Sequence, residues 1–163
     1  MQYRGFNIII KRKGGNTPER IAVMKTAVVF WSGTGNTETM ANAVSDGMKG
    51  AGAEVSVISA ADFTKEKVAE FDAIAFGCPA MGAEVLEEDV FEPMFSGIEG
   101  SLSGKKIGLF GSYGWGDGQW MRDWEERCKA AGAVLSAEPV MANNEPDDDA
   151  VNACRALGSV LAS

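Results

Sequence analysis

One short stretch, FWSGTGNT at residues 30–37, most constrains how this chain can fold. It ends a continuous apolar run at residues 27–31, which is typical of a strand buried on both faces of a sheet. It is followed by apolar residues at three- and four-residue spacing from Met40 to Ala51, which predict a helix beginning near Asn36 or Thr37. The chain therefore passes from a central strand, through a tight loop, into a helix that packs on the sheet.

The loop between this strand and this helix has the composition of an anion-binding site. The first turn of a helix has unpaired N–H groups and the positive end of the helix dipole. Gly33 and Gly35 allow the backbone to approach a ligand closely. Four side chains in the loop can donate hydrogen bonds, those of Ser32, Thr34, Asn36 and Thr37.

Two common phosphate-binding motifs do not match this loop. The P-loop requires a lysine for the terminal phosphates, and residues 30–37 contain no lysine or arginine. The dinucleotide fingerprint G-x-G-x-x-G requires a third glycine where this chain has Glu38. The sequence thus favours a single terminal phosphate as the ligand.

The rest of the chain alternates between strand and helix patterns, which predicts a parallel α/β sheet. Further strands are predicted at residues 53–59, 73–77, 106–111 and 133–141, the last interrupted or placed at an edge by Pro139. Helices are predicted near residues 65–70 and 90–98, at 120–131, and from Pro146 onward. Loops rich in Gly, Ser and aromatic residues follow the first, third and fourth strands, so we expect them to meet at one edge of the sheet.

Three motifs in this order resemble the flavodoxins, in particular the short-chain clostridial type: WSGTGNT, GCPAMGAE at residues 77–84, and GLFGSYGWGDGQWMRDW at residues 108–124. The resemblance runs from about Met24 to the C-terminus. It implies a three-layer α/β/α, doubly wound, five-stranded parallel sheet of flavodoxin-like strand order 2-1-3-4-5. It also implies FMN as cofactor and a function as a low-potential one-electron carrier, not an enzyme, that passes through semiquinone and hydroquinone states.

The resemblance assigns roles in the second loop, residues 78–84. Met81 is expected to lie against one flavin face, and the peptide of Gly82 to turn over when the flavin takes up an electron and a proton, so that its carbonyl accepts a hydrogen bond from N5–H. Glu84 is expected to accept a hydrogen bond from N3–H. Ala83 departs from the family pattern, which often has Asp, Asn, Ser or Gly there, and alanine reaches a positive φ less readily. The implied binding residues of this loop are Pro79, Ala80, Met81, Gly82, Ala83 and Glu84.

The resemblance also implies that the third loop covers the other face of the flavin. Trp115 is flanked by glycines and is expected to stack on the outer face, while Ser112 reaches toward the phosphate. A core position for Trp115 is the alternative, whereas Trp120 and Trp124 are expected in the core. The implied binding residues of this loop are Ser112, Tyr113, Gly114, Trp115 and Gly116.

The charge distribution restricts the partners. Residues 24–163 hold 10 basic and 22 acidic side chains, a net charge of −12, which disfavours nucleic acid and anionic membranes and favours redox proteins with basic docking surfaces. We expect a monomer. The acidic run at residues 84–92 is either a solvated face or a group of charges that lowers the second flavin potential and steers partners.

Cysteine and histidine usage restricts the chemistry. The three cysteines, Cys78, Cys128 and Cys154, show no metal-site spacing, and we expect buried reduced thiols in a cytoplasmic protein. The chain contains no histidine, which excludes imidazole catalysis and His-ligated metals. We expect no metal site and no transmembrane helix.

Residues 1–23 do not resemble a flavodoxin, and they carry a net charge of +4. We expect an N-terminal extension that is disordered, or an artefact preceding a natural start at Met24, with a flexible linker at residues 13–18. The alternative is a basic tail that folds over the acidic body.

Three other functions are alternatives to an electron carrier. An NAD(P)H:quinone reductase on the same fold needs room for a donor beside the flavin, where this chain has Trp115. A phospho-receiver domain needs acidic residues at the end of the first strand, where this chain has Phe30 and Trp31. A flavin-free interaction module is the third alternative.

Overall fold

The computed structural model of this chain describes residues 8–11, 18–21 and 23–163. Near the N-terminus, strands β1 (Ile8–Lys11) and β2 (Pro18–Ile21) pair in antiparallel fashion. Most of the predicted linker, at residues 13–17, lies outside the described residues, as do residues 1–7, 12 and 22. The predicted division into an extension and a body at residue 24 stays a prediction.

A parallel sheet forms the centre of the body. Its strands are β3 (Lys25–Phe30), β4 (Glu54–Ser59), β5 (Ala73–Gly77), β6 (Lys106–Tyr113), β7 (Val134–Leu135) and β8 (Val140–Asn143). The strand order is β4-β3-β5-β6, and both β7 and β8 pair with β6. The predicted order 2-1-3-4-5 is confirmed, with the fifth position shared by two short strands.

Helices cover both faces of this sheet, which confirms the three-layer prediction. On one face α1 (Asn36–Gly50) packs beside α5 (Asp148–Leu161), with Val28, Phe110 and Leu157 in the core beneath them. The other face carries α2 (Lys65–Val68), α3 (Phe91–Ile98) and α4 (Gln119–Ala130). The core on that side includes the edge-to-face rings of Phe76, Phe95 and Trp124.

Pro139 explains why the fifth position is divided. Proline has no N–H to donate to a strand ladder, and the chain leaves the sheet after Leu135 and rejoins it at Val140. The predicted interruption is confirmed.

Strand β6 is longer than predicted, because β8 pairs with its far end. It continues to Tyr113, two residues beyond its predicted end, and Ser112 therefore lies on the strand.

Within the described residues, none of the helices has the length and hydropathy needed to cross a bilayer.

Candidate functional site

The loops that follow β3, β5 and β6 meet at the carboxyl edge of the sheet, as their positions in a parallel sheet require. Together they line a cleft at this edge. Its walls are Trp31, Gly33, Thr34 and Asn36 from the first loop, Pro79, Ala80 and Met81 from the second, Ser112, Tyr113 and Gly114 from the third, and Asn144 after β8. The predicted convergence of the three loops is therefore present.

The first loop is shaped by its own hydroxyl groups. Ser32 Oγ accepts hydrogen bonds from the N–H groups of Gly35 and Glu38, each at 3.2 Å, and Thr34 Oγ1 accepts one from Asn36 at 3.4 Å. Gly35, the residue before α1, has φ of 99°, which glycine adopts at little cost. A hydroxyl that accepts a hydrogen bond still has its own hydrogen to donate, so these groups can order the loop and bind a ligand at once.

Several backbone amides of this loop remain available. Within the described residues, the N–H groups of Gly33, Thr34 and Thr37 donate no hydrogen bond. Unpaired amides at the start of a helix, together with the helix dipole, favour an anion. The loop thus offers amides and hydroxyls to a phosphate without a cation.

A buried pair of hydroxyls joins the first and third loops. Thr37 Oγ1 and Ser112 Oγ lie 3.1 Å apart, and both residues are buried. One hydrogen is used between the two oxygens, so the pair keeps one hydrogen for another acceptor. Ser112 is thereby placed beside the first turn of α1, where the family resemblance implies a phosphate.

The second loop is a short projecting turn. The N–H of Met81 donates to the carbonyl of Val85 at 2.8 Å, and the N–H of Val85 donates back at 3.0 Å. Between them Gly82 and Glu84 have φ of 50° and 55°, whereas Ala83 does not have a positive φ. Met81 is 38% exposed at the edge of the cleft, so its side chain is accessible to a ligand.

Glu84 connects the second loop to the third. Its Oε1 accepts a hydrogen bond from the N–H of Gln119, the first residue of α4, at 3.3 Å. A Cβ atom at Gly116 would lie only 2.2 Å from the same oxygen, and Gly116 has φ of 88°. Both facts require glycine at residue 116. The carboxylate of Glu84 is therefore held between the two loops.

The three tryptophans of the third motif have different environments. Trp115 is 67% exposed on the loop between β6 and α4, so the core alternative for this residue is wrong. Trp120 and Trp124 are each 1% exposed, which confirms their predicted core position. The indole Nε1 of Trp120 donates to the carbonyl of Cys78 at 3.1 Å and so ties the start of α4 to the second loop.

The acidic residues at positions 84–92 have different roles, so the prediction that treats them as one solvated or charged group needs correction. Glu87 is 5% exposed and accepts hydrogen bonds from three backbone amides. Glu92 forms an ion pair with Arg127 at 2.7 Å, and Arg127 also pairs with Glu99 at 2.8 Å. Of the acids in this run, Glu88 and Asp89 are exposed, whereas Glu84 and Glu92 are half-buried.

The three cysteines are buried and free, as predicted. Burial raises the pKa of the Cys78 thiol to about 12, and the same cause raises the pKa values of Cys128 and Cys154 to about 12. These thiols are therefore protonated at neutral pH and are poor nucleophiles. In the part of the chain that the structure describes, there is no cluster of three or more potential metal ligands.

Two residues of the cleft were missed by sequence reasoning. Trp31 was assigned to the first strand, but it lies just beyond β3, with its N–H bonded to the carbonyl of Gly77 at 3.0 Å. Asn144 has φ of 60° and donates its N–H to the carbonyl of Tyr113 at 2.7 Å. Asparagine tolerates this left-handed conformation, and the Asn-Asn pair after the fifth predicted strand was the available signal.

Comparison with known proteins was consistent with this geometry. The family model described as flavodoxin matches residues 28–158. The chain is 46% identical over 136 residues to the flavodoxin of Clostridium beijerinckii, covering 83% of this chain and 98% of that protein. It is 47% identical over 135 residues to the flavodoxin of Megasphaera elsdenii, covering 83% and 96% respectively.

Solved structures agree with the sequence comparison. The solution structure of two-electron reduced Megasphaera elsdenii flavodoxin superposes with a TM-score of 0.78 at 45% identity, covering 84% of this chain and 98% of that one. A flavodoxin from the domain Archaea superposes with a TM-score of 0.75 at 28% identity, covering 85% and 96%.

Proposed function

Because this chain belongs to the flavodoxin family and is an FMN-binding electron carrier, we propose that the cleft at the carboxyl edge of its sheet holds the FMN. The observation that carries the proposal is the first loop, whose amides of Gly33, Thr34 and Thr37 have no acceptor among the described residues. A phosphate monoester has the charge and the acceptor oxygens to satisfy such a group of donors.

The phosphate would be held by the first loop and by Ser112. The amides at the start of α1 and the hydroxyls of Ser32 and Thr34 supply donors from the first loop. The remaining hydrogen of the buried Thr37–Ser112 pair, whose oxygens lie 3.1 Å apart, supplies another from below. Each hydrogen bond to a charged group contributes about 1.5–3 kcal/mol, so the loop can hold a dianion without lysine or arginine.

The flavin ring would be held by the second and third loops. Met81 and the exposed indole of Trp115 would cover its two faces, and Glu84 would accept a hydrogen bond from N3–H. The contact of Glu84 with Gln119 and Gly116 holds this carboxylate in place before any ligand arrives. The carbonyl of Gly82, in the exposed turn, would accept a hydrogen bond from a protonated N5.

Bound FMN supplies one-electron redox chemistry, and the chain's own residues set its environment. The residues around the cleft offer no histidine and no reactive thiol, because the chain has no histidine and its three cysteines are buried and protonated. We infer that the carrier works at low potential, because negative charges near a flavin disfavour the addition of further electrons. The protein relatives at 46–47% identity are flavodoxins, so the quinone reductase alternative has no support from them.

The redox partners would dock with basic surfaces. The body carries a net charge of −12, and Glu88 and Asp89 are exposed next to the second loop. Complementary charge accelerates the encounter of proteins and orients them. We propose that the chain acts in the cytoplasm as a monomer.

A comparison of FMN with riboflavin tests the phosphate site. The two ligands share the ring and the ribityl chain and differ only in the phosphate. The double variant Thr37→Val/Ser112→Ala removes both hydroxyls of the buried pair, so that neither is left without a partner. We expect its affinity for FMN to fall about 10- to 100-fold, as the loss of one charged hydrogen bond predicts, and its affinity for riboflavin to stay within twofold.

Ser101→Ala provides the control, since Ser101 is an exposed hydroxyl that precedes β6 at the opposite edge of the sheet. Fluorescence titration of the cofactor-free protein measures both affinities. Equal losses for FMN and riboflavin in the double variant would place the phosphate elsewhere.

A further inference from the structure

Glu87 is a buried acid whose carboxylate is fully engaged by the backbone. It is 5% exposed, and its two oxygens accept hydrogen bonds from the N–H groups of Asp89 at 2.8 Å, Val90 at 2.9 Å and Phe91 at 2.7 Å. Phe91 is the first residue of α3 (Phe91–Ile98), Val90 is its N-cap, and Asp89 precedes them directly. The side chain therefore fixes its own backbone position relative to a rigid helix.

The backbone of Glu87 is fixed a second time. Its N–H donates to Cys78 Sγ at 3.3 Å, and its carbonyl accepts from the N–H of Glu92 at 2.8 Å. Cys78 is itself held, because its N–H donates to Phe110 at 3.1 Å and its carbonyl accepts from the indole of Trp120 at 3.1 Å. Glu87 is thus attached to α3 and to the end of β5 at once.

The turn Met81–Val85 lies between two such attachments. On one side, the N–H of Ala80 donates to the carbonyl of Ser112 at 2.9 Å. On the other side, the buried side chain of Leu86 is followed directly by Glu87. Between these points the turn is exposed, and its two mutual hydrogen bonds join Met81 and Val85. The conformations that the turn can adopt therefore depend on the positions at which its two ends are held.

We propose that Glu87 is a positioning residue for the flavin-facing turn: by fixing the end of the turn to α3 and to Cys78, it limits the conformations of Gly82 and Ala83 and so contributes to the first reduction potential of the bound flavin. This inference rests on the proposed function, since it takes the turn to be the part of the chain that meets the flavin.

The electrostatics agree with this assignment. Burial by itself raises the pKa of Glu87, but the hydrogen bonds from Phe91, Val90 and Asp89 outweigh it, and the pKa lies below its usual value of 4.5. The carboxylate is therefore ionised at neutral pH and keeps all three backbone hydrogen bonds. A glutamine at this position has one oxygen and one N–H₂ group, so at least one of the three amides meets a donor.

Loss of positioning and loss of charge have opposite effects on the first reduction potential of the bound flavin. The N5–H group exists only after the flavin is reduced. A turn with more conformational freedom loses more entropy when its carbonyl accepts a hydrogen bond from this group. The reduced state is then less stabilised, so the first reduction potential becomes more negative. Removal of a negative charge near the flavin favours added electrons, so it makes potentials less negative. Glu88→Gln is the matched control, because Glu88 is the next residue, is exposed, and loses the same charge without any cap.

Two measurements test the proposal. In the cofactor-free protein, hydrogen exchange at the amides of Met81 and Val85 reports opening of the turn. We expect Glu87→Gln to accelerate it about tenfold and Glu88→Gln to leave it unchanged. In the FMN-bound protein, we expect the first one-electron equilibrium to shift against reduction by about tenfold relative to Glu88→Gln, which corresponds to about 59 mV.

Two further variants separate positioning from general stability. Asp147→Ala removes an analogous cap, the hydrogen bond of 2.8 Å from the N–H of Ala150 at the start of α5, and it should change neither readout. Glu87→Asp keeps the charge but shortens the side chain, and it should shift both readouts in the same direction as Glu87→Gln. It also serves as the test if Glu87→Gln does not fold.

The proposal is overturned if exchange at Met81 and Val85 is the same in the Glu87 variants and the wild type, or if the potential of Glu87→Gln equals that of Glu88→Gln. Failure of the proposed function would look different, since the wild-type protein would then not bind FMN at this cleft. The exchange measurement needs no cofactor and remains decisive in that case.

Discussion

Replacement of Trp115 by alanine separates ligand binding from folding. Trp115 is 67% exposed on a loop, and no aromatic pair or cation–π contact involves it among the described residues. Replacement of an exposed side chain that makes no buried contacts usually changes the free energy of unfolding by no more than about 0.5 kcal/mol. The free energy of unfolding of the cofactor-free protein should therefore stay within this range.

The effect on FMN affinity follows from the area that the indole offers. A fully enclosed aromatic side chain buries about 150–250 Å². Since Trp115 is 67% exposed, about 100–170 Å² of its surface is available, and one face of the indole has about half of this area. At about 25 cal/mol per Å², covering one face contributes about 1.3–2 kcal/mol. Stacking geometry adds about 0.5–1.5 kcal/mol. Trp115→Ala should thus weaken FMN binding about 20- to 400-fold.

Fluorescence titration of the cofactor-free protein with FMN and with riboflavin measures this loss, and chemical denaturation measures the stability. Both ligands should lose affinity equally, because Trp115 is proposed to meet the ring and not the phosphate. Trp115→Phe keeps an aromatic face and should recover about half of the lost binding free energy. A loss of less than threefold for FMN, with unchanged stability, would show that the indole does not cover the flavin.

Three other predictions concern the conformation of the turn Met81–Val85, the pH dependence of stability, and the salt dependence of electron transfer to a redox partner. Ala83 lacks a positive φ in the present turn; if the reduced state needs one there, Ala83→Gly should remove about 1 kcal/mol of strain and raise the first potential by about 40 mV in a spectroelectrochemical titration. Since the folded pKa of Glu87 is below its unfolded value of 4.5, its contribution to stability is present above pH 4.5 and is lost as pH falls through the folded pKa. Urea denaturation should therefore show wild type and Glu87→Gln converging only in acid, and a constant difference would contradict the assignment. Electron transfer to a basic redox protein should slow as salt rises from about 0.05 to 0.5 M in stopped-flow measurements, because screening weakens the attraction, and Glu88→Gln should reduce that salt dependence.

The sequence predicted the sheet and the main helices because hydrophobic periodicity determines both. The uninterrupted apolar run before Ser32 predicted a strand covered on both faces, and β3 lies between β4 and β5. The glycines around Trp115 predicted an exposed loop, and the helical spacing of Trp120 and Trp124 predicted a core stripe. In each case the pattern of neighbouring residues was enough to give the environment.

Other features depend on contacts between distant residues, which a single sequence does not contain. Glu87 is one of five acidic residues at positions 84–92 that the sequence presents as one charged group. The amides of residues 89–91 and the sulfur of Cys78 nevertheless hold it in the interior. The extension of β6 to Tyr113 depends on β8, whose residues pair with partners 30 positions earlier in the chain. Only the three-dimensional arrangement shows which carboxylate of a run meets backbone donors.

The absence of a cation from the phosphate loop and the acidity of the body have one physical consequence. Amides and hydroxyls stabilise a bound dianion by hydrogen bonds and dipoles, but they carry no net charge to cancel it. In the proposed site, the charge of the phosphate would therefore remain near the flavin and would add to the charges of Glu84, Glu88 and Asp89. A lysine in the loop would bind the phosphate more tightly and would also favour extra electrons on the ring. Neutral donors thus bind FMN without placing a positive charge near the flavin. A carrier that works at a low reduction potential requires this, because a nearby positive charge would make reduction of the flavin easier.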